Sequence, residues 1–244
     1  MAGVTLTYGV YWRTMDGDEH VRDWAALHRT EAPAGVVGGW LKGAAAVARP
    51  LARAGVSPNM VTVAALVMAV AAVPLAAIDG WTGPAAACVA VTLSGLLDSL
   101  DGAVAVQAGR TTRVGFLLDS TLDRLADAAL PAALAVVAGG AGEVAVAAVA
   151  ACWWLEYVRA RASLATCPNG VTASASAEPD RQVVTPGERP TRIILTAVGL
   201  GLPPLALAAL WGQVVIVGGS ALFLLAHSLR RLRRLDAGPP APTG

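Results

Sequence analysis

The chain has 244 residues, of which 55% are hydrophobic, 14% charged and 5% aromatic, with a mean hydropathy of +0.58. A soluble domain carries about 25% charged residues, so this surface is too poor in charge to face water all round, and an ordinary cytosolic enzyme is excluded. Eighteen Lys and Arg against 17 Asp and Glu leave a formal net charge of +1, which excludes the strongly basic balance of a nucleic-acid binder.

Residues 1–33 lack the apolar stretch of about 7–15 residues that marks a secretory signal, so no cleavage is expected. They read as a cytosolic N-terminal extension, a solvated or partner-binding tail whose Trp12, His20, Trp24 and His28 match no motif. Residues 34–55 place Trp40, Lys42, Arg49 and Arg53 among small apolar residues, with Pro50 as a kink. That is the pattern of an amphipathic helix lying in a membrane interface; a frayed linker is the plainer alternative.

A hydrocarbon core about 30 Å thick needs roughly 20 apolar residues per helix. Residues 56–235 hold six such stretches, at 60–78, 83–107, 113–137, 144–165, 193–210 and 214–229. The expected fold class is therefore all-α, a polytopic membrane protein with six transmembrane helices plus the N-terminal interfacial helix. The links after the first, third and fifth stretches (DGWT, GGAGE and WGQ) carry no Lys or Arg, and every basic residue falls on the other side. By the positive-inside rule both termini and the Arg-bearing loops are cytosolic, in a multi-pass protein of the cell membrane. Residues 166–187, rich in Ser, Thr, Pro and Gly, read as a mobile loop. Arg230, Arg231, Arg233 and Arg234 can lie along anionic headgroups, and 236–244 reads as a flexible tail. Cys88, Cys152 and Cys167 have neither metal-ligand spacing nor the even number of a disulfide framework, and read as small apolar residues of the membrane.

The second stretch carries Asp98 and Asp101, and the third opens with Asp119, Asp123 and Asp127. Carboxylates at the edge of a bilayer are costly and signal function. On a helix Asp98 and Asp101 are i and i+3, and Asp119 and Asp123 are i and i+4, so each pair projects from one face. The turn between Asp101 and Asp119 joins two antiparallel helices, which lets the pairs oppose each other at the cytosolic end. Four like charges in a low-dielectric site need a counter-charge, and no Lys lies nearby. Hard divalent cations, Mg²⁺ or Mn²⁺, meet that need, and sites with two such ions ordinarily serve phosphoryl chemistry. Gly95, Gly102 and Gly115 beside the acids permit close helix approach and leave room for a nucleotide. Separate Asp residues capping helix ends are the alternative reading.

The pattern Asp98-x-x-Asp101-Gly102-x-x-Ala105, followed by Gly115-x-x-x-Asp119-x-x-x-Asp123, resembles the signature of the CDP-alcohol phosphotransferases, integral membrane enzymes of phospholipid synthesis. The resemblance extends from Val56 to Leu235. Pro58-Asn59-x-x-Thr62 is similar to the family's entry motif, Tyr157-x-Arg159-Ala160-Arg161 ends the fourth span, and Glu188-Arg189-Pro190-x-Arg192 opens the fifth. It implies a six-helix, usually homodimeric enzyme that moves a phosphatidyl group from a CDP-linked lipid, such as CDP-diacylglycerol, to the hydroxyl of a small alcohol or alcohol phosphate, releasing CMP. Carried over residue by residue, Asp98, Asp101, Asp119 and Asp123 hold two metal ions, Asp123 also acts as general base, and Thr62, Gly102, Ala105 and Gly115 line the CDP pocket. Arg159, Arg189 and Arg192 suit an acceptor phosphate through bidentate contacts, though Arg is also expected at cytosolic helix ends. Asp127, one turn beyond Asp123, could bind metal, orient a water or pair with Arg124, with a supporting role favoured. His227 stands where related enzymes often carry another Arg.

One departure stands out: the family usually has Arg after the signature alanine, where this chain has Val106, with Arg110 one turn later. This keeps a catalytically silent relative in view as an alternative. A cation-handling transporter is a further alternative, but it requires acids along a continuous path, whereas these gather at one helical hairpin.

Overall fold

The structure, a computed structural model, describes residues 16–27, 35–165 and 183–236, and every regular element among them is helical. The short helix α1 (Gly17–Leu27) is capped by Asp16, whose side chain accepts a hydrogen bond from Glu19 N at 2.7 Å. It is followed by α2 (Gly35–Arg53), which continues through Pro50, and by α3 (Pro58–Ala76), opened by a proline whose missing N–H would lack a helical partner anyway. Next come α4 (Thr82–Gln107) and α5 (Arg113–Val137), the latter capped by Thr112 Oγ1 accepting from Gly115 N at 3.0 Å. Then follow α6 (Gly142–Ala165), α7 (Arg189–Gly201), a single 3-10 turn at Pro203–Leu205, and α8 (Ala206–Asp236).

Among the described residues, three stretches are long and apolar enough to cross a membrane: α3, α4 and the run Pro203–Asp236. Helices α5 and α6 have similar length but carry more charge than α3 and α4, and α7 has only 13 residues. Large apolar side chains such as Val63, Val67, Val89, Leu93, Leu222 and Phe223 point outward, a surface that water would not tolerate over so wide an area. The interior is built largely from alanine, with Ala72, Ala87, Ala90, Ala133 and Ala148 packed around Leu130, Leu134, Leu200 and Leu210. Small residues bring backbones close, which is how helices gain contact where solvent offers no hydrophobic drive. One such place is Gly199, where a Cβ would lie 2.5 Å from Leu134 Cδ2.

Helix α3 packs against both α4 and α5, whereas α4 and α5 touch each other little. The two Asp-bearing helices therefore diverge across α3 and leave a cleft between them. Helix α7 covers α4 and α5, α8 backs α6, and α1 lies on α2, which lies on α4.

The structure corrects the sequence expectations at two places. The fifth and sixth stretches are divided at the 3-10 turn Pro203–Leu205, and Trp211-Gly212-Gln213 lies inside α8. Two adjacent prolines interrupt the backbone ladder, while one glycine costs a helix only about 1 kcal/mol. Gln213 is stable inside the bundle because its Nε2 donates to Thr196 Oγ1 at 2.8 Å. The N-terminal extension is also more than a solvated tail, since α1 docks on the bundle with His20, Val21 and Ala25 buried. Asp18 joins it to α2 through Lys42 Nζ at 2.6 Å, and this hydrogen bond and charge hold the Asp18 carboxyl below the usual carboxylate range. Residues Trp12, His28, Cys167 and the stretches 166–182 and 237–244 lie outside the described residues. At the end of the expected loop, Thr185 is buried and Gly187 N donates to Ser220 Oγ at 2.9 Å.

Candidate active site

A cavity of about 540 Å³ opens between α4 and α5, floored by α3. Its walls carry Asp98, Asp101, Asp119 and Asp123 together with Thr62, Gly102, Ala105 and Gly115, so every residue expected in the metal and CDP sites borders one space. Carboxylate oxygens of Asp98, Asp119 and Asp123 lie within 4.8 Å of one another, close enough to share an ion. Asp101 is held slightly apart: its Oδ2 accepts from Thr62 Oγ1 at 2.7 Å and its Oδ1 from Gly102 N at 2.5 Å. The entry motif and the acidic signature, 39 residues apart in sequence, are thus joined by one buried hydrogen bond.

The three glycines differ in what they do. At Gly95 a Cβ would meet Ile193 Cδ1 at 2.7 Å, so this position lets α7 approach α4. At Gly115 a Cβ would face Thr112 Oγ1 at 3.1 Å and Asn59 Oδ1 at 3.3 Å, so the absence of a side chain keeps the cap and the entry motif together. At Gly102 a Cβ would meet nothing within 4 Å, which leaves bare backbone facing the cavity.

The counter-charge comes from α7. Arg189 Nη1 lies 3.0 Å from Asp98 Oδ1 and is ion-paired with Asp123. Reasoning along α4 and α5 alone missed this group, because its partner acids lie more than 60 residues earlier and only the return of α7 brings it over them. Four carboxylates against one guanidinium leave an excess of negative charge, with exposed Arg110 on the cavity rim. The residues therefore fit one or more hard divalent cations: the donors are all oxygen, and the imbalance is what such ions neutralise.

Next to this cavity is a second charged group that is balanced. Arg124 Nη2 meets Asp127 Oδ2 at 3.2 Å and its Nη1 meets Glu156 Oε1 at 3.3 Å. Arg192 reaches the same two acids at 3.5 and 3.6 Å, and its Nη1 contacts Cys152 Sγ. Arg159 bonds Glu156 at 3.2 Å and Glu188 Oε1 at 2.6 Å. Asp127 thus takes the supporting role and pairs with Arg124. Of the three arginines expected to hold an acceptor, Arg189 sits on the metal-site acids, while Arg159 and Arg192 sit in this neighbouring network. Glu156 is a neighbour that the sequence reading passed over, and Glu188 was read there only as part of the motif that opens the fifth span. Glu156 was visible as the i−3 partner of Arg159, but Glu188 had no local signal. His227 packs on Phe223 with ring centroids 6.1 Å apart and does not border the cavity.

The profile of the CDP-alcohol phosphatidyltransferase family matches residues 55–227. The chain belongs to this family. The phosphatidylinositol phosphate synthase of Cutibacterium acnes is 38% identical over 134 residues, covering 51% of this chain and 62% of that protein. The archaetidylinositol phosphate synthase of Aeropyrum pernix is 38% identical over 117 residues, covering 47% and 57%. The chain thus spans about three-fifths of the length of these two relatives. The phosphatidylinositol phosphate synthase of Mycolicibacterium smegmatis is 31% identical over 206 residues, covering 80% and 84%. The crystal structure of Mycobacterium tuberculosis phosphatidylinositol phosphate synthase with CDP-DAG bound is similar with a TM-score of 0.54 at 25% identity, covering 78% of this chain and 92% of that one. The CDP-alcohol phosphatidyltransferase match begins just before α3, so α1 and α2 lie outside it.

Proposed function

We propose that the chain is a metal-dependent transferase that moves a phosphatidyl group from a CDP-linked lipid, CDP-diacylglycerol, to the hydroxyl of a small alcohol phosphate and releases CMP. The observation that carries the reading is the meeting of Asp98, Asp119 and Asp123 within 4.8 Å on the wall of a cavity that also holds the family's glycines. When bound, Mg²⁺ or Mn²⁺, two ions in this reading, would be held by Asp98, Asp101, Asp119 and Asp123 and would neutralise charge on the transferring diphosphate.

The chain's own residues account for the rest. Gly102, Ala105 and Gly115 leave the backbone of α4 and α5 open to the CDP moiety, and the Thr62 hydroxyl orients Asp101. Arg189 holds Asp98 and Asp123 in one orientation. Asp123 takes the proton of the acceptor hydroxyl, a role that needs direct hydrogen-bond reach. The acceptor oxygen then bonds to the phosphorus bearing diacylglycerol, the bond from that phosphorus to the bridging oxygen breaks, and CMP leaves with the electron pair. Arg159, Arg189 and Arg192, where α6 and α7 begin or end, form the side from which an acceptor phosphate is drawn in. The names of the relatives make an inositol phosphate the first acceptor to test.

In this reading α3 to α8 form six spans with the acidic cavity and both termini at the cytosolic face. The protein resides in the cell membrane, α2 lies in the interface, and the working unit is a homodimer. A catalytically silent relative is the second reading, favoured by Val106 on the cavity wall. One assay separates them. Purified protein with Mg²⁺ or Mn²⁺ should release CMP from CDP-diacylglycerol when inositol phosphate or another alcohol phosphate is present, and chelation should stop the release. No release across an acceptor panel selects the silent relative.

A further inference from the structure

Helix α1 lies outside the segment shared with the family, yet its His20 borders the same cavity as the four acids. The residue is wholly buried, and its Nδ1 lies 3.3 Å from Gln107 Nε2, the side chain that ends α4 directly after Val106. Leu41 of α2 borders the cavity beside it, and Val106, Ala105 and Gly102 come from α4. Two contacts set how α1 lies: Asp18 pairs with Lys42, and Gly17 rests on the Lys42 stem, where a Cβ would come within 3.2 Å of Cγ. Val21 and Ala25 are 5% exposed, so the rest of the helix is seated by apolar burial.

A buried histidine hydrogen-bonded to an amide is often a plain core residue. Here, however, it is placed where the C-terminal turn of α4 meets the cavity, and α1 and α2 together close a side that α3, α4 and α5 leave open. We propose that α1 is a built-in wall of the donor site, and that His20 is a positioning residue. Through Gln107 it holds the end of α4 in the shape that accepts a nucleoside diphosphate. The inference rests on the donor reading given above and adds a specificity element from outside the shared domain.

The test uses the full-length protein in detergent with two probes, CDP by equilibrium dialysis and Mn²⁺ by electron paramagnetic resonance. His20→Ala and Val21→Asp are compared with the unaltered chain. The wall predicts that His20→Ala raises the CDP dissociation constant roughly tenfold, the equivalent of one lost hydrogen bond, with Mn²⁺ affinity and Tm unchanged. Val21→Asp, which places a charge in the seat of α1, should weaken CDP at least as much and make residues 17–27 sensitive to protease. Unaltered CDP affinity in His20→Ala overturns the proposal, and so does a parallel fall in CDP affinity, Mn²⁺ affinity and Tm, which marks a merely structural role. A chain that binds Mn²⁺ but no CDP at all overturns the donor reading itself, and the wall with it.

Discussion

Asp123 and Arg192 show two ways in which a charged side chain can matter in this bundle. Asp123 lines the cavity and is ion-paired with Arg189, so Asp123→Asn keeps the shape and removes the proton acceptor proposed above. CMP release should fall by at least about 100-fold, the usual contribution of a general base, with circular dichroism and Tm unchanged; full activity in the variant would remove Asp123 from that role. Arg192 is 2% exposed and shares the fully buried Asp127 carboxylate with Arg124. Removing one partner of a buried pair costs about 3–5 kcal/mol, because the remaining charge is left without full compensation. Arg192→Ala should therefore fall in the lower part of that range, since Arg124 stays in place, and the check is a thermal unfolding curve in detergent. A Tm equal to that of the unaltered chain would mean that water or a shifted Arg124 compensates Asp127.

At the scale of helices, the glycines separate packing from binding. Gly102 and Gly199 both sit in helix interiors, where an exposed Gly→Ala change favours the helix by about 1 kcal/mol. A Cβ at Gly102 meets nothing within 4 Å, whereas one at Gly199 would overlap Leu134 Cδ2 at 2.5 Å and Ala209 Cβ at 2.9 Å. Overpacking a tight contact costs about 1–3 kcal/mol, which outweighs the helix term. Gly199→Ala should thus lower Tm with CDP affinity intact, and Gly102→Ala should keep or raise Tm while weakening CDP binding. Dialysis and melting curves on both variants check this, and identical behaviour would show that Gly102 does not face the donor. The short α7 belongs to the same scale. Its 13 residues rise about 20 Å at 1.5 Å each, so it needs the 3-10 turn at Pro203–Leu205 to extend its reach. The prolines of that turn were in view in the sequence, but the apolar run masked them and the polar-looking Trp211-Gly212-Gln213 drew the break eight residues too far on.

Across the whole molecule, the basic residues gather at one end of the bundle and the α3–α4, α5–α6 and α7–α8 turns lie at the other. With the acidic cavity at the basic end, the six-span reading proposed above predicts, by the positive-inside rule, that the chemistry faces the cytosol. A membrane-impermeant maleimide applied to intact cells should label Asp79→Cys, in the α3–α4 turn, and should not label Arg233→Cys until the cells are opened. Labelling of both, or the reverse order, would overturn the six-span orientation.

Composition determined the helical class, and the spacing of Asp98, Asp101, Asp119 and Asp123 put the four acids in two helical pairs that also carry the resemblance to the family, because hydropathy and helical register are local properties read along one stretch of sequence. Thr62, Gly102, Ala105 and Gly115 followed from the resemblance, and all four border the cavity. Only the tertiary structure decided that Arg189 is the counter-charge of those acids, that Glu188 holds Arg159, and that His20 of α1 meets Gln107 beside the acid-lined cavity. These are contacts between residues from 29 to 91 positions apart, formed by how α6, α7 and α1 return over the bundle. No periodicity in a single segment encodes such a meeting, since it depends on the packing of small residues at several helix crossings at once.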